Sequence, residues 1–368
     1  MKHLLLTVGA LALTGSAAMA GGLDRSGQSV SPIFEPGTYA ELSFGLIQPN
    51  VDGNDVAAFG GGYSGDVGGN YSLLGFAYKQ DFNDKLSFAV IGDQPFGADV
   101  VYGAGSVALG GTSAQAKSYA LTGIMRYKFD GGFSAHAGLR AQRAEGQIDL
   151  RGLAYGGVNG YSVDLAPDMG YGYLVGVAYE KPEIALRVAL TYNSAVKHEF
   201  DTVETLGGVI GTSPTEVETP QSVNLDFQSG IAKDTLIFGS IRWAEWSEFQ
   251  INPPTFTTLT GSGLVDLDNT VTWTLGVGRR FNENWAASLS FQYEDEGDPL
   301  VSPLSPTNGR MGVTLGTSYT KDNMKISVGI NYTKLGDASP ETGTPDVARA
   351  NFTDNHSVGI GFKIGYSF

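Results

Sequence analysis

The chain has no cysteine. Disulfide frameworks, thiolate nucleophiles and cysteine-ligated metals are thereby excluded. Beyond its N-terminus it also lacks any stretch near the ~18 uninterrupted apolar residues that a membrane-spanning helix needs. Charge is scarce: 17% of residues are Asp, Glu, Lys or Arg, and the balance is acidic at −15. That is too little charge for a large soluble acidic protein, and an acidic chain with no basic block is a poor partner for nucleic acid. Histidine is rare, four in all, and His136, His198 and His356 stand far apart without ligand spacing, so no metal is expected. Gly62-Tyr63-Ser64-Gly65 stops a residue short of a nucleophile elbow, and Gly103-Ala104-Gly105 lacks the third glycine of a dinucleotide loop. No enzyme chemistry and no cofactor is expected.

What is present is glycine (52) and aromatic side chains, among them 17 Tyr and 19 Phe, which argues against disorder. Residues 1–20 read as a secretory signal: Lys2 and His3, an apolar run from Leu4 to Leu13, then Ala18-Met19-Ala20 before Gly21. The remainder alternates. Val358, Ile360, Phe362, Ile364, Tyr366 and Phe368 occupy one parity, with small or polar residues on the other. In a strand the two parities face opposite sides. A soluble sandwich strand shows the same pattern, but here it recurs. Examples are Leu42, Phe44, Leu46; Leu74, Phe76, Tyr78; Ile326, Val328, Ile330, Tyr332.

The spacing predicts fourteen strands, at 38–49, 72–81, 86–97, 115–129, 133–148, 169–180, 184–199, 221–231, 236–251, 269–281, 285–296, 310–320, 324–336 and 355–368. Short turns such as 82–85 and 130–132 alternate with long Gly-, Ser-, Thr- and Pro-rich loops at 50–71, 98–114, 149–168, 200–220, 252–268, 297–309 and 337–354. A meandering outer-membrane barrel has that rhythm, with an even strand number and short turns on the periplasmic side. A Greek-key sandwich has no reason for it. Tyr127, Phe129, Phe133, Tyr179, Trp285, Tyr319, Tyr366 and Phe368 lie beside the short turns, where a periplasmic aromatic girdle belongs. The fold expected is an all-β, 14-stranded antiparallel transmembrane β-barrel with both termini periplasmic. Its C-terminal strand, ending in Phe368, looks like the signal read by the barrel assembly machinery.

Several segments resemble the FadL-type outer-membrane transporters of long-chain fatty acids and other hydrophobic compounds. They are Lys181 to Phe200, with its Pro182-Glu183 turn, Arg187 and Tyr192-x-Ser194; Gln94-Pro95-Phe96-Gly97; Pro220-Gln221-Ser222; and Trp243 to Gln250. The likeness runs from about residue 37 to the end, and its specificity lies in the order of these segments. It implies a passive importer of fatty acids from a Gram-negative exterior, with aromatic hydrocarbons as the family's other cargo. It further implies an N-terminal hatch in the lumen, capture of ligand in a groove among the outer loops, and exit sideways at an inward kink of the third strand. This chain departs in its hatch, residues 21–37, which is shorter than usual and ends in Phe34-Glu35-Pro36-Gly37 rather than Asn-Pro-Ala. The barrel proper is 38–368.

Candidate transport residues follow. Gly92, Asp93, Pro95, Phe96 and Gly97 interrupt the third strand, because proline removes a ladder donor and interior glycine marks a bend. The bland alternative is that Pro95 opens the next loop. With the greasy parity in lipid, Arg140, Arg187 and Arg242 face the lumen, where a guanidinium suits a carboxylate head group. The alternative is that the lumen arginines pair with Glu41, Asp93 or Glu294. Ile33 and Phe34 of the hatch, with Val101, Tyr102, Leu206 and Ile210 of the loops, are candidates for an apolar wall; loop self-packing is the competing use. Other partners expected are outer-membrane lipid and lipopolysaccharide, and the protein is expected to act as a monomer. A water-filled diffusion porin is the alternative function.

Overall fold

The structure is a computed structural model that describes residues 23–343 and 345–368. The signal expected at 1–20 lies outside the described residues. In chain order the strands are β1 (Tyr39–Asn50), β2 (Tyr71–Asp81), β3 (Leu86–Asp93, resuming as Gly97–Val101), β4 (Ser113–Lys128), β5 (Phe133–Asp149), β6 (Ser162–Lys181) and β7 (Leu186–Asn193, resuming as Val196–Leu206). They continue as β8 (Val209–Thr219, resuming as Ser222–Ala232), β9 (Thr235–Ala244), β10 (Thr270–Arg280), β11 (Trp285–Glu294), β12 (Asn308–Lys321), β13 (Met324–Gly336) and β14 (His356–Ser367).

These fourteen antiparallel strands close on themselves: β1 pairs with β2 on one side and with β14 on the other. Leu42 lies opposite both Phe76 and Ile364, and Phe44 opposite Leu74 and Phe362, so the apolar parity runs unbroken across the seam. The two faces differ sharply even between adjacent residues. Leu139 is 76% exposed on the outside, and Arg140 beside it is 4% exposed within. Closure leaves the sheet no first or last edge, as lipid demands, although the ladder between β2 and β3 stops at Phe76–Gly92.

Short turns join the strands at one end. In β8–β9 and β12–β13 the two-residue turns place Asp234 (φ 58°) and Asp322 (φ 52°) in the left-handed region that tight hairpins require. Aromatic pairs ring this end: Tyr127–Phe129 at 5.2 Å, Phe133–Tyr179 at 4.8 Å, Trp285–Tyr319 at 5.0 Å and Tyr366–Phe368 at 4.9 Å between ring centroids.

The expected loop at 200–220 is instead a hairpin: β7 and β8 stay paired from Val196–Thr219 up to Leu206–Val209. Its tip is Gly207-Gly208, with φ of 59° and 82°, a conformation that glycine adopts without strain. Likewise β6 begins at Ser162, seven residues before the expected 169. Above the barrel the remaining loops pack into one apolar cap that includes Val51, Tyr102, Leu109, Tyr161, Phe256 and Phe352. Two carboxylates tie it down. Asp55 accepts from Ser106 Oγ at 2.6 Å and from the backbone N–H groups of Val107 and Ala108. Glu204 accepts from Tyr161 Oη at 2.8 Å and from the N–H groups of Thr255 and Phe256, which open the short helix α1 (Pro254–Thr260).

Replacing Glu204 by Ala strands those three donors, at a cost of roughly 1–3 kcal/mol. The expected outcome is faster proteolysis within 250–268, while the purified barrel keeps its heat-modifiable gel mobility. In the loop between β13 and β14, burial, with Asp346 and then Asp266 adding to it and Arg349 opposing, pushes the Glu341 carboxyl up to about 7. Folding thus favours its protonated form. Its stabilising effect is full below the unfolded value near 4.3 and is lost as pH rises through about 7. Hydrogen exchange in 337–355, corrected for intrinsic rate, should be faster at pH 8 than at pH 5, and Glu341→Gln should flatten that dependence.

Candidate functional site

The N-terminal segment from Leu23 onwards does not stay outside the ring. Asn224 Nδ2 on β8 donates to Gly27 O at 2.9 Å, and Arg242 on β9 donates to Asp24 Oδ2 at 2.6 Å. Further along, Val30 and Ile33 are buried against Ala77, Ala89, Ile91, Ile124 and Leu174 from β2, β3, β4 and β6. Phe34 packs edge-on to His136 at 5.7 Å, with the guanidinium groups of Arg126 and Arg187 over its ring at 4.6 and 4.8 Å. Contacts with β2, β3, β4, β5, β6, β7, β8 and β9 put this segment in the lumen.

Beside it the wall is interrupted. The β2–β3 ladder runs from Asp81–Ser87 to Phe76–Gly92 and ends, leaving Tyr71–Gly75 of β2 without ladder partners on that side. On the other side β4 follows β3 throughout, but with a slip: Asp93 faces Ala120 and Gly97 faces Lys117, so one residue bulges. Gly92 permits the approach, because a Cβ there would lie 2.1 Å from the Phe76 ring. Proline at 95 has no donor to offer a ladder.

The N-terminal segment supplies much of what β2 does not. Gly97 N donates to Leu23 O at 2.9 Å, Arg25 N to Pro95 O at 2.8 Å, and Asp24 bridges Phe96 in antiparallel fashion. Ser26 Oγ donates to Asp93 Oδ2. Phe96 N and O are both held by Ser118 Oγ, at 2.9 and 2.7 Å. Across the break, Gln94 Oε1 accepts the N–H of Leu74 at 2.9 Å, so a side chain caps one donor of the free edge.

Two cavities flank this junction. One, of about 140 Å³, passes into the wall itself. Its lining includes lumenal Glu41, Ser43 and Lys363, lipid-side Phe44, Leu74 and Phe362, and Ser26, Ser29 and Pro32 of the N-terminal segment. The other, of about 90 Å³, is an almost wholly apolar chamber under the loop cap, lined by Leu23, Phe96, Leu165, Phe200, Trp246 and Leu267 among others. Phe96 meets Trp246 edge-on at 5.4 Å. An apolar cavity of this order takes an aromatic ring or a few carbons of chain. Residues 23–26 and 93–97 stand between the two spaces.

The three lumen arginines singled out from sequence have different hydrogen-bond and ring partners, although Arg140 and Arg242 both lie within electrostatic reach of Asp93, and Arg187 and Arg242 of Asp226. Arg187 lies over Phe34. Arg140 is held by Thr122 Oγ1 at 3.1 Å and Asn193 Oδ1 at 3.2 Å. Arg242 binds the N-terminal segment. Other lumen charges pair between adjacent strands of the wall, Arg310 with Glu294 at 3.0 Å and Lys363 with Glu41 at 3.5 Å. Of the apolar residues, Ile33 and Phe34 are in the lumen. Tyr102 is buried in the cap, its Oη donating to Pro303 O, and Leu206 packs against the same cluster. Val101 and Ile210 point outward, 54% and 69% exposed, and line neither cavity. Asp24, Gln28, Leu165 and Phe200 were not singled out; a lone acidic residue in a short leader, and apolar residues in stretches read as loop, gave no periodic signal. Trp246 belongs to the segment from Trp243 to Gln250 that carries the family likeness, and nothing local in that segment marks it as part of the chamber wall. Among the described residues no group of three or more His, Asp or Glu side chains is placed to hold a metal.

Comparisons with known proteins agree with the barrel fold. The chain is similar over 92% of its length, and 92% of the other's, to a Pseudomonas aeruginosa FadL homologue, with TM-score 0.71 and 15% identity. It is similar to the Pseudomonas putida toluene transporter TodX (TM-score 0.64, 11% identity, covering 96% and 98%) and to the Ralstonia pickettii toluene transporter TbuX (0.63, 13%, covering 91% and 90%). At such identities these likenesses speak for the fold. No curated protein sequence matches. A family profile described as "Outer membrane protein transport protein (OMPP1/FadL/TodX)" matches residues 11–368. The chain therefore belongs to the FadL/TodX family, whose members are outer-membrane transporters of hydrophobic compounds in Gram-negative bacteria and not enzymes.

Proposed function

We propose that this barrel imports long-chain fatty acids passively, and that residues 21–37 are the hatch that gates their exit through the break in β3. The driving force is transfer of hydrocarbon from water, ~0.8 kcal/mol per CH₂. Ligand gathered at the outer loops enters the apolar chamber, passes the hatch, and leaves through the wall cavity into lipid. A sideways exit keeps the acyl chain out of periplasmic water. The observation that carries this reading is the substitution at β3: its backbone pairs with the N-terminal peptide where a neighbouring strand is due. An interrupted ladder at membrane depth is tolerated where protein covers it, and here the cover is the hatch.

A second reading, a channel for monoaromatic hydrocarbons, draws on the chamber's size and its Phe96–Trp246 wall, and on the toluene transporters among the structural relatives. A water-filled diffusion pore fits less well, since Ile33 and Phe34 pack the lumen between charged side chains. Both termini belong on the periplasmic side, with the short turns. Exposed Phe368 ends the strand offered to the assembly machinery, lipopolysaccharide surrounds the loop end, and the barrel works as a monomer.

The test exploits the absence of cysteine. Ser26→Cys with Asp93→Cys places two thiols where side chains already touch. Oxidised, this pair should pin the hatch and lower uptake of a labelled C16 fatty acid about tenfold, with recovery on reduction; undiminished uptake in the oxidised form would refute gating. Gly92→Val with Pro95→Val should also depress uptake, because the new side chain at 92 meets the Phe76 ring. Normal uptake there would exclude the β3 break as the exit.

A further inference from the structure

Arg242 presents a planar guanidinium with five N–H groups. Two sets of acceptors divide it. Nη1 donates to Ser222 Oγ at 2.9 Å and Asn224 Oδ1 at 2.8 Å, both on the adjacent strand β8, so the wall fixes the plane of the group. The remaining edge, Nε with Nη2, is a fork that matches the two oxygens of a carboxylate. Both of its acceptors come from the hatch: Asp24 Oδ2 at 2.6 Å from Nε, and Gln28 Oε1 at 3.3 Å from Nη2.

As an occupant of that fork the hatch is a poor fit. One bond is short and the other long, and they arise from two separate side chains. Asp24 Oδ1 is buried without a partner, which is costly for an ionised group. The location is also suggestive, since Leu23, directly before Asp24, lines the apolar chamber. Asp24 further bridges Phe96 in the β3 break, so whatever removes Asp24 from Arg242 also pulls on the peptide that covers the break.

We propose that Asp24 and Gln28 hold the place of a ligand's own head group on Arg242. An amphipathic monocarboxylate, the first carbons of its tail in the chamber, takes the Nε–Nη2 fork with both oxygens and frees the hatch by exchange. The inference rests on the transport reading and sharpens its substrate class. A neutral hydrophobe fills the chamber as well but offers the fork nothing, so it leaves the hatch seated.

The experiment uses the full mature protein in detergent, with hexadecanoate and hexadecan-1-ol as probes of equal tail length. A single Ser29→Cys, in a chain otherwise free of cysteine, reports hatch release by maleimide labelling. Hexadecanoate should speed labelling about tenfold and the alcohol should not. Asp24→Asn weakens the internal competitor, so hexadecanoate should bind about tenfold tighter while the alcohol is unmoved. Arg242→Lys keeps the charge but lacks the fork, and should bring the acid down to the alcohol's affinity. Heat-modifiable mobility checks that each variant is folded. An acid-to-alcohol affinity ratio in Asp24→Asn equal to the parent's would overturn the exchange, as would equal labelling with both probes. If the parent binds neither probe, the transport reading itself falls.

Discussion

Lipid offers no hydrogen bonds, so every peptide group at membrane depth must find its partner within the protein. Most of this molecule follows from that requirement. The β1–β14 seam removes the sheet's edges, and the two-residue turns with Asp234 and Asp322 let neighbouring strands pair down to the membrane surface. Where β3 departs from β2, the same requirement remains and is met by other means. Gln94 reaches back to Leu74, Ser118 holds both backbone groups of Phe96, and the hatch lies against the rest. A defect in the wall and a peptide in the lumen are thus one structural solution.

The interior follows a different rule. Water or an opposite charge makes a lumenal ion tolerable, and the described lumen uses mainly the second. Arg310 with Glu294, Lys363 with Glu41, and Arg126 with Glu180 are pairs that stiffen the barrel. Arg187, together with the already paired Arg126, lies over an aromatic face and holds Phe34 from two sides. Arg242 differs from these. Half of its donor set is bound to the wall and half to the N-terminal segment.

Strand number, strand faces and the alternation of short and long connections were legible in the sequence, because a period of two repeated fourteen times leaves little room for another fold. The irregular parts were legible only in outline. Gly92 and Pro95 announced a break, yet nothing in them told that the hatch would cover it. That pairing joins residues about seventy positions apart and has no local pattern. The β7–β8 hairpin was misread because its Thr-, Ser- and Pro-rich composition resembles loop, although Gly207-Gly208 between alternating runs is a turn signal in its own right. The lumen arginines were found by parity alone. Glu294 and Glu41 were legible as counter-ions, and they pair with Arg310 and Lys363; which cation each meets was not, since parity gives the side a residue faces and not its height along the axis.

The seam has a consequence for the order of assembly. Tyr39 and Ser367 are partners, so the ring cannot shut until the final strand has been made. The segment that precedes Tyr39 must therefore be enclosed as the wall is drawn around it, and it meets residues such as Arg242 some two hundred positions away only at that late stage. The cylinder is wrapped about the segment 23–38, which is made before any strand of the wall and is among the last parts to reach its place.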